Sequence, residues 1–63
     1  MYAIMSVRTS RFFQGYDWRN TPDFTFKRDN AKKYPSDILA YEESDELRLK
    51  GYHVIVVDIK DSL

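Results

Sequence analysis

Cysteine is absent from this chain of 63 residues, which excludes disulfides and thiolate metal sites. Histidine occurs once, as His53, too few for a histidine-rich metal centre. The only glycines are Gly15 and Gly51, so no Gly-rich loop is present to cradle a phosphate. Long apolar runs are missing as well. The longest aliphatic run covers residues 54–57, against the ~20 residues that a membrane-spanning helix needs. Residues 1–10 lack the basic start and long apolar region of a signal peptide. Lack of cysteine is compatible with a reducing compartment, and the expectation is a soluble, cytoplasmic protein with no membrane partner and no cofactor.

Aromatic residues, in contrast, are abundant at 16%. They matter because a chain this short forms a single domain over residues 1–63 and buries only about 60% of its unfolded surface. Each well-buried aromatic removes roughly 150–250 Å² from water, so a few can supply much of a core. The densest stretch, residues 11–28, carries Phe12, Phe13, Tyr16, Trp18, Phe24 and Phe26 among Arg11, Arg19, Lys27 and Arg28. Aromatics interleaved with basic residues can stack bases and meet phosphates. They can equally form a protein interface, where Trp, Tyr and Arg dominate binding energy, or simply a core.

The formal net charge is zero, yet the charges are segregated. Residues 1–33 hold seven basic and three acidic residues, and residues 34–63 hold three basic and seven acidic. Oppositely charged halves can pack together or present a basic and an acidic face to separate partners.

Apolar and polar residues alternate over residues 2–9, predicting a strand. Residues 10–14 continue it or begin another. Gly15 is a natural turn site, and residues 20–23 (Asn-Thr-Pro-Asp) are a stronger break. Residues 24–27 predict a short strand with Phe24 and Phe26 on one side. Asp29 can cap a single helical turn over residues 30–33, which Pro35 stops while holding Tyr34 extended. Ser36 is a candidate N-cap, with Asp37 beside the positive helix end. The helix then runs from residue 37 to about 50, with Ala40 and Leu47 on one side, Glu46 and Lys50 at i,i+4, and Gly51 ending it. A competing reading stops the helix near Ser44 and starts a hairpin from residues 46–49 through Lys50 and Gly51. Residues 52–59 are β-branched and apolar on both faces, which predicts a strand central in a sheet or covered by a partner. Residues 60–63 are a polar end, expected to fray. The element order gives an α+β domain: a small three- to four-stranded, mainly antiparallel sheet with one helix packed on a face.

Residues 24–25 (Phe-Thr), Asp29, residues 31–34 (Ala-Lys-Lys-Tyr), the Ser36-capped helix and the Val/Ile-rich last strand together resemble small strand–helix–strand proteins common in bacteriophage genomes. The first strand fits that type, whereas residues 16–23 form a longer, more aromatic loop than it has. The resemblance implies a viral accessory protein working in the host cytoplasm, with no assigned activity.

No enzyme signature is present, because a catalytic site needs a nucleophile, a base and an orienting group in mutual reach, and His53 lies inside the strongest strand pattern. The chain is therefore expected to be non-catalytic. The favoured function is binding and modulation, or inhibition, of another protein. Its first candidate contact residues are Arg11, Phe13, Tyr16, Trp18 and Arg19, with Phe12, Phe24 and Phe26 assigned to the core. The second candidate is the acidic group Glu42, Glu43, Asp45 and Glu46, which suits docking on a basic protein groove. Nucleic acid is the alternative partner, disfavoured by Asp17, Asp23 and overall neutrality. A subunit role in a larger assembly is a third reading. Self-association through the last strand or exposed aromatics is expected from the small core.

Overall fold

A computed structural model of the chain describes residues 1–59. The expected fray at 60–63 lies outside them. Four strands, β1 (Tyr2–Ser6), β2 (Phe12–Tyr16), β3 (Pro22–Thr25) and β4 (Val54–Asp58), form one antiparallel sheet in the order β3-β2-β1-β4. Among the described residues one α-helix, α1 (Asp37–Leu49), leads from the segment after β3 to β4 and packs on β1 and β4. The α+β architecture read from the sequence is the one the chain adopts.

Helix α1 has both ends chemically specified. Ser36 is extended, and its Oγ accepts the Leu39 N–H at 3.3 Å, satisfying one donor the helix cannot pair internally. At the other end Gly51 takes φ +98°. The Gly51 N–H donates to Arg48 O (2.9 Å) and the Tyr52 N–H to Leu47 O (3.1 Å), the two bonds of a Schellman termination. The helix buries Ala40, Ser44 and Leu47, spaced at i, i+4 and i+7. Residues 46–49 are therefore helical, and the hairpin alternative is excluded.

Strands and turns depart from expectation in several places, and β3 covers Pro22–Thr25 rather than the expected residues 24–27. The first strand ends at Ser6 because the chain turns tightly, with the Ser10 N–H donating to Ser6 O at 2.9 Å. Gly15 does not make a turn. It lies within β2 at φ +125°, where the β2–β3 register shifts between Phe13 and Gly15. A bulge of this kind needs the backbone freedom that glycine has. Residues Arg28–Asn30 form the 3-10 turn that was expected two residues later, over 30–33, so Asp29 lies inside it and no side chain caps it. The β-branched last strand is an edge strand rather than a central one. Its doubly apolar pattern arises because both faces of the sheet carry apolar clusters.

On the helix side Ile4, Phe13, Tyr34, Ala40, Leu47 and Val54 are buried together, with Tyr2, Tyr16, Phe24, Tyr52 and Val56 packed against them. On the opposite side Ala3, Ala31 and Ile59 are buried, with Phe12 and Val57 against them. Burying a large apolar side chain is worth roughly 1.5–3 kcal/mol, so the first cluster is the main source of stability. Strands β1 and β2 pair only at Met5 and Phe12. Beyond that point the segment leading to Pro35 takes over. The Lys32 N–H donates to Phe13 O (2.9 Å), and Tyr34 exchanges two hydrogen bonds with Tyr2 (2.9 and 2.8 Å). The extended conformation that Pro35 imposes on Tyr34 makes this bridge possible.

Candidate functional site

The β2–β3 hairpin ends in a loop of residues 17–21 tied down from inside by Asp17. The Asp17 N–H donates to Thr21 O and the Asn20 N–H to Asp17 O, both at 2.9 Å. Asp17 Oδ1 accepts the N–H groups of Arg19 (2.9 Å) and Thr21 (3.0 Å). Short acidic side chains form such turns because the carboxylate reaches backbone donors two residues on. Asn20 closes the loop in the left-handed region at φ 60°, which Asn tolerates.

This braced turn displays Trp18, which is 89% exposed. The Arg19 guanidinium lies 5.2 Å from the indole centroid and 3.9 Å from Asp17 Oδ2. An exposed indole beneath a guanidinium is a cation–π pair on the surface. Trp18 and Arg19 thus form one feature at the hairpin tip.

The other members of the first candidate set lie elsewhere. Phe13 is fully buried in the helix-side core, where its ring meets Tyr16 and Phe24 edge-on at 5.3 and 5.8 Å. It is a core residue and offers no contact surface. Phe26, expected in the core, is instead 68% exposed, because β3 stops at Thr25. Arg11 sits over the Phe26 ring at 4.3 Å, at the opposite end of β2 from the hairpin tip.

Tyr16 is half-buried between the hairpin and the helix. Its hydroxyl donates to Glu43 Oε2 at 3.0 Å, and Lys50 Nζ stands 4.6 Å from its ring centroid. Burial chiefly, then the hydrogen bond and negative charge of Glu43 and the charge of Glu46, push its phenol up to about 12. The buried Tyr34 phenol is pushed up further, by burial first and then by Glu43 and Tyr16. Its hydroxyl has no hydrogen-bond partner among the described residues.

The acidic group does not act as one surface. Glu43 is largely buried and is held by Tyr16 and by Lys32 at 3.5 Å. Asp45 pairs with Arg48 at 3.3 Å. Glu42 and Glu46 are exposed and, with Glu43, border a groove opposite Lys32, Lys33 and Tyr34. Sequence reasoning passed over Lys32 and Tyr34. The signal that could have found them is Pro35, which sets the extended segment that carries both. Among the described residues no three His, Asp or Glu side chains gather as metal ligands, and no helix is long and apolar enough to cross a membrane.

Comparison with protein-family models, with curated proteins and with solved structures finds no match in any of the three. The functional reading rests on the geometry of this chain alone.

Proposed function

We propose that this chain is a non-catalytic accessory protein, phage-encoded as its resemblance to small bacteriophage proteins implies, that binds and modulates another protein through the tip of its β2–β3 hairpin. The observation that carries the reading is the 89% exposure of Trp18 on a turn braced by Asp17. A large apolar ring on the surface has an unfavourable contact with water that a partner relieves, and a braced loop loses little conformational freedom on binding. Trp and Arg are also the residue types enriched at interface hot spots. Asp17 beside them repels a phosphate backbone, which favours protein over nucleic acid at this tip.

Site-specific photo-crosslinking tests the proposal. A benzophenone side chain is placed at position 18, or as a control at position 49, where Leu49 is 88% exposed at the end of α1. A discrete protein adduct from position 18 alone, weakened by Arg19→Ala, is the expected result. The same adduct from both positions, or none from position 18 in host cells, overturns it.

A further inference from the structure

A second site lies at the other end of the sheet, away from the hairpin tip. The β1–β2 turn and the connection from α1 to β4 meet there, joined by a hydrogen bond from the Val7 N–H to His53 O at 2.9 Å. Between them opens a cleft of about 340 Å³ lined by Arg8, Thr9, Arg11, Phe24, Tyr52 and His53, with backbone from Gly51. That volume falls within the roughly 300–1,000 Å³ of small-molecule sites.

The charge of this cleft is one-sided. Acidic and basic residues are equal in number in the chain, ten of each, yet among the described residues no carboxylate lines the cleft. Arg8 is exposed and makes no ion pair or hydrogen bond among the described residues. Arg11 rests its guanidinium on the Phe26 ring, an arrangement that leaves the N–H edges of the fork able to donate. Phe24 and Tyr52 are half-buried, with ring centroids 5.8 Å apart and planes tilted by 35°. Both pack on the core cluster, so they are fixed walls.

Two guanidinium forks match the oxygen geometry of a phosphate. Fixed aromatic rings match a flat, weakly polar ring system and are the usual partners of nucleobases. A ligand that combines both chemistries in this volume is a nucleotide. We propose that the cleft binds a nucleoside monophosphate unit, with its phosphate between Arg8 and Arg11 and its base against Phe24 and Tyr52. The unit comes either as a free nucleotide or as part of a single strand. This site is independent of the hairpin tip, and either can fail without the other.

Titration of ¹⁵N-labelled protein followed by amide chemical shifts tests it, with adenosine monophosphate, adenosine, inorganic phosphate and a short oligoadenylate as probes. Adenosine monophosphate should shift the Arg8, Thr9 and His53 amides saturably. Adenosine or phosphate alone should bind about tenfold more weakly or worse, a loss of about 1.4 kcal/mol. Arg8→Gln, at an exposed position, should keep the spectrum of the folded protein and weaken the nucleotide by a similar factor. An oligoadenylate that binds more tightly than the mononucleotide, with steep salt dependence, identifies a single strand as the source. Equal or weaker binding identifies the free nucleotide. Absence of saturable shifts at these amides overturns the proposal. So does phosphate binding as tightly as the nucleotide, an acidic peptide displacing the nucleotide at equal concentration, or unchanged affinity in Arg8→Gln.

Discussion

Arg48 of the helix donates to the carbonyl oxygen of Val54 with both Nε (3.3 Å) and Nη2 (3.1 Å). That carbonyl belongs to the outer side of β4. The Val7 N–H bonds to His53 O and the Ile59 N–H to Met1 O, so odd-numbered residues of β4 turn their backbone groups toward β1. By the alternation of antiparallel pairs, Val54, Val56 and Asp58 turn theirs away. An edge strand with unpaired backbone groups is a template for another strand, and charged side chains are a common guard. Arg48 guards this edge, and Asp45 at 3.3 Å from Nη1 orients it.

Removing the guard should therefore promote self-association. Arg48→Ala leaves Val54 O open next to Ile55, which is 40% exposed, and the β4 edges of two copies can then pair. Sedimentation velocity over a concentration series should show a dimer in the variant at concentrations where the parent is a monomer. The monomer itself should lose about 1–2 kcal/mol, because two part-buried hydrogen bonds from a charged guanidinium are removed together. An unchanged sedimentation profile would show that the guard is not needed.

That edge illustrates how much was legible in the sequence. The α+β class, the Ser36 cap, the Gly51 stop and the two apolar faces of β4 all depend on local chemistry, which residue order carries. Strand order depends on which edge the helix crosses to, and nothing in residues 52–59 distinguishes an edge from a centre. Burial of Phe13 follows from its pairing opposite Phe24 on the face that carries Ile4, and exposure of Phe26 from β3 ending at Thr25, which are properties of pairing. The pair Trp18 and Arg19 was legible from residue type, an aromatic beside a basic residue, whereas the break expected at residues 20–23 holds only to Thr21 because β3 begins at Pro22. The cleft formed by Arg8, Arg11 and His53 was not, since its residues come from separate parts of the chain and meet only through sheet closure.

Alkaline solution should destabilise the fold through the phenols of the half-buried Tyr16 and the buried Tyr34. For Tyr16 the folded value of about 12 exceeds the ordinary 10.0, so folding favours the protonated form. The corresponding stability is fully present below pH 10 and is lost as pH rises from 10 through 12. Tyr34 is shifted in the same direction and adds to the loss. Urea midpoints measured between about pH 8 and about pH 11 should fall, and fall less steeply in Tyr16→Phe. Tyr34→Phe should flatten the profile too, and at neutral pH it should be neutral or stabilising by up to about 1 kcal/mol, because it removes a buried hydroxyl without a described partner. A parent profile that is flat over this range would contradict the assignment.

The two phenylalanines whose expected roles were exchanged give a direct test of the packing. Phe13 is fully buried against Ile4, Leu47 and Val54, and Phe→Ala in such a site costs about 3–5 kcal/mol. A domain of this size holds only about 3–5 kcal/mol in total, so Phe13→Ala should be largely unfolded at 25 °C. Phe13→Leu, which retains most of the apolar volume, should leave a measurable folded state with a lowered urea midpoint. Phe26 is 68% exposed and serves mainly as a platform for Arg11. Its replacement by alanine should cost no more than about 1 kcal/mol, the worth of an exposed cation–π contact. Circular dichroism during urea unfolding separates the cases. Equal losses for Phe13→Ala and Phe26→Ala would contradict both the burial of Phe13 and the exposure of Phe26.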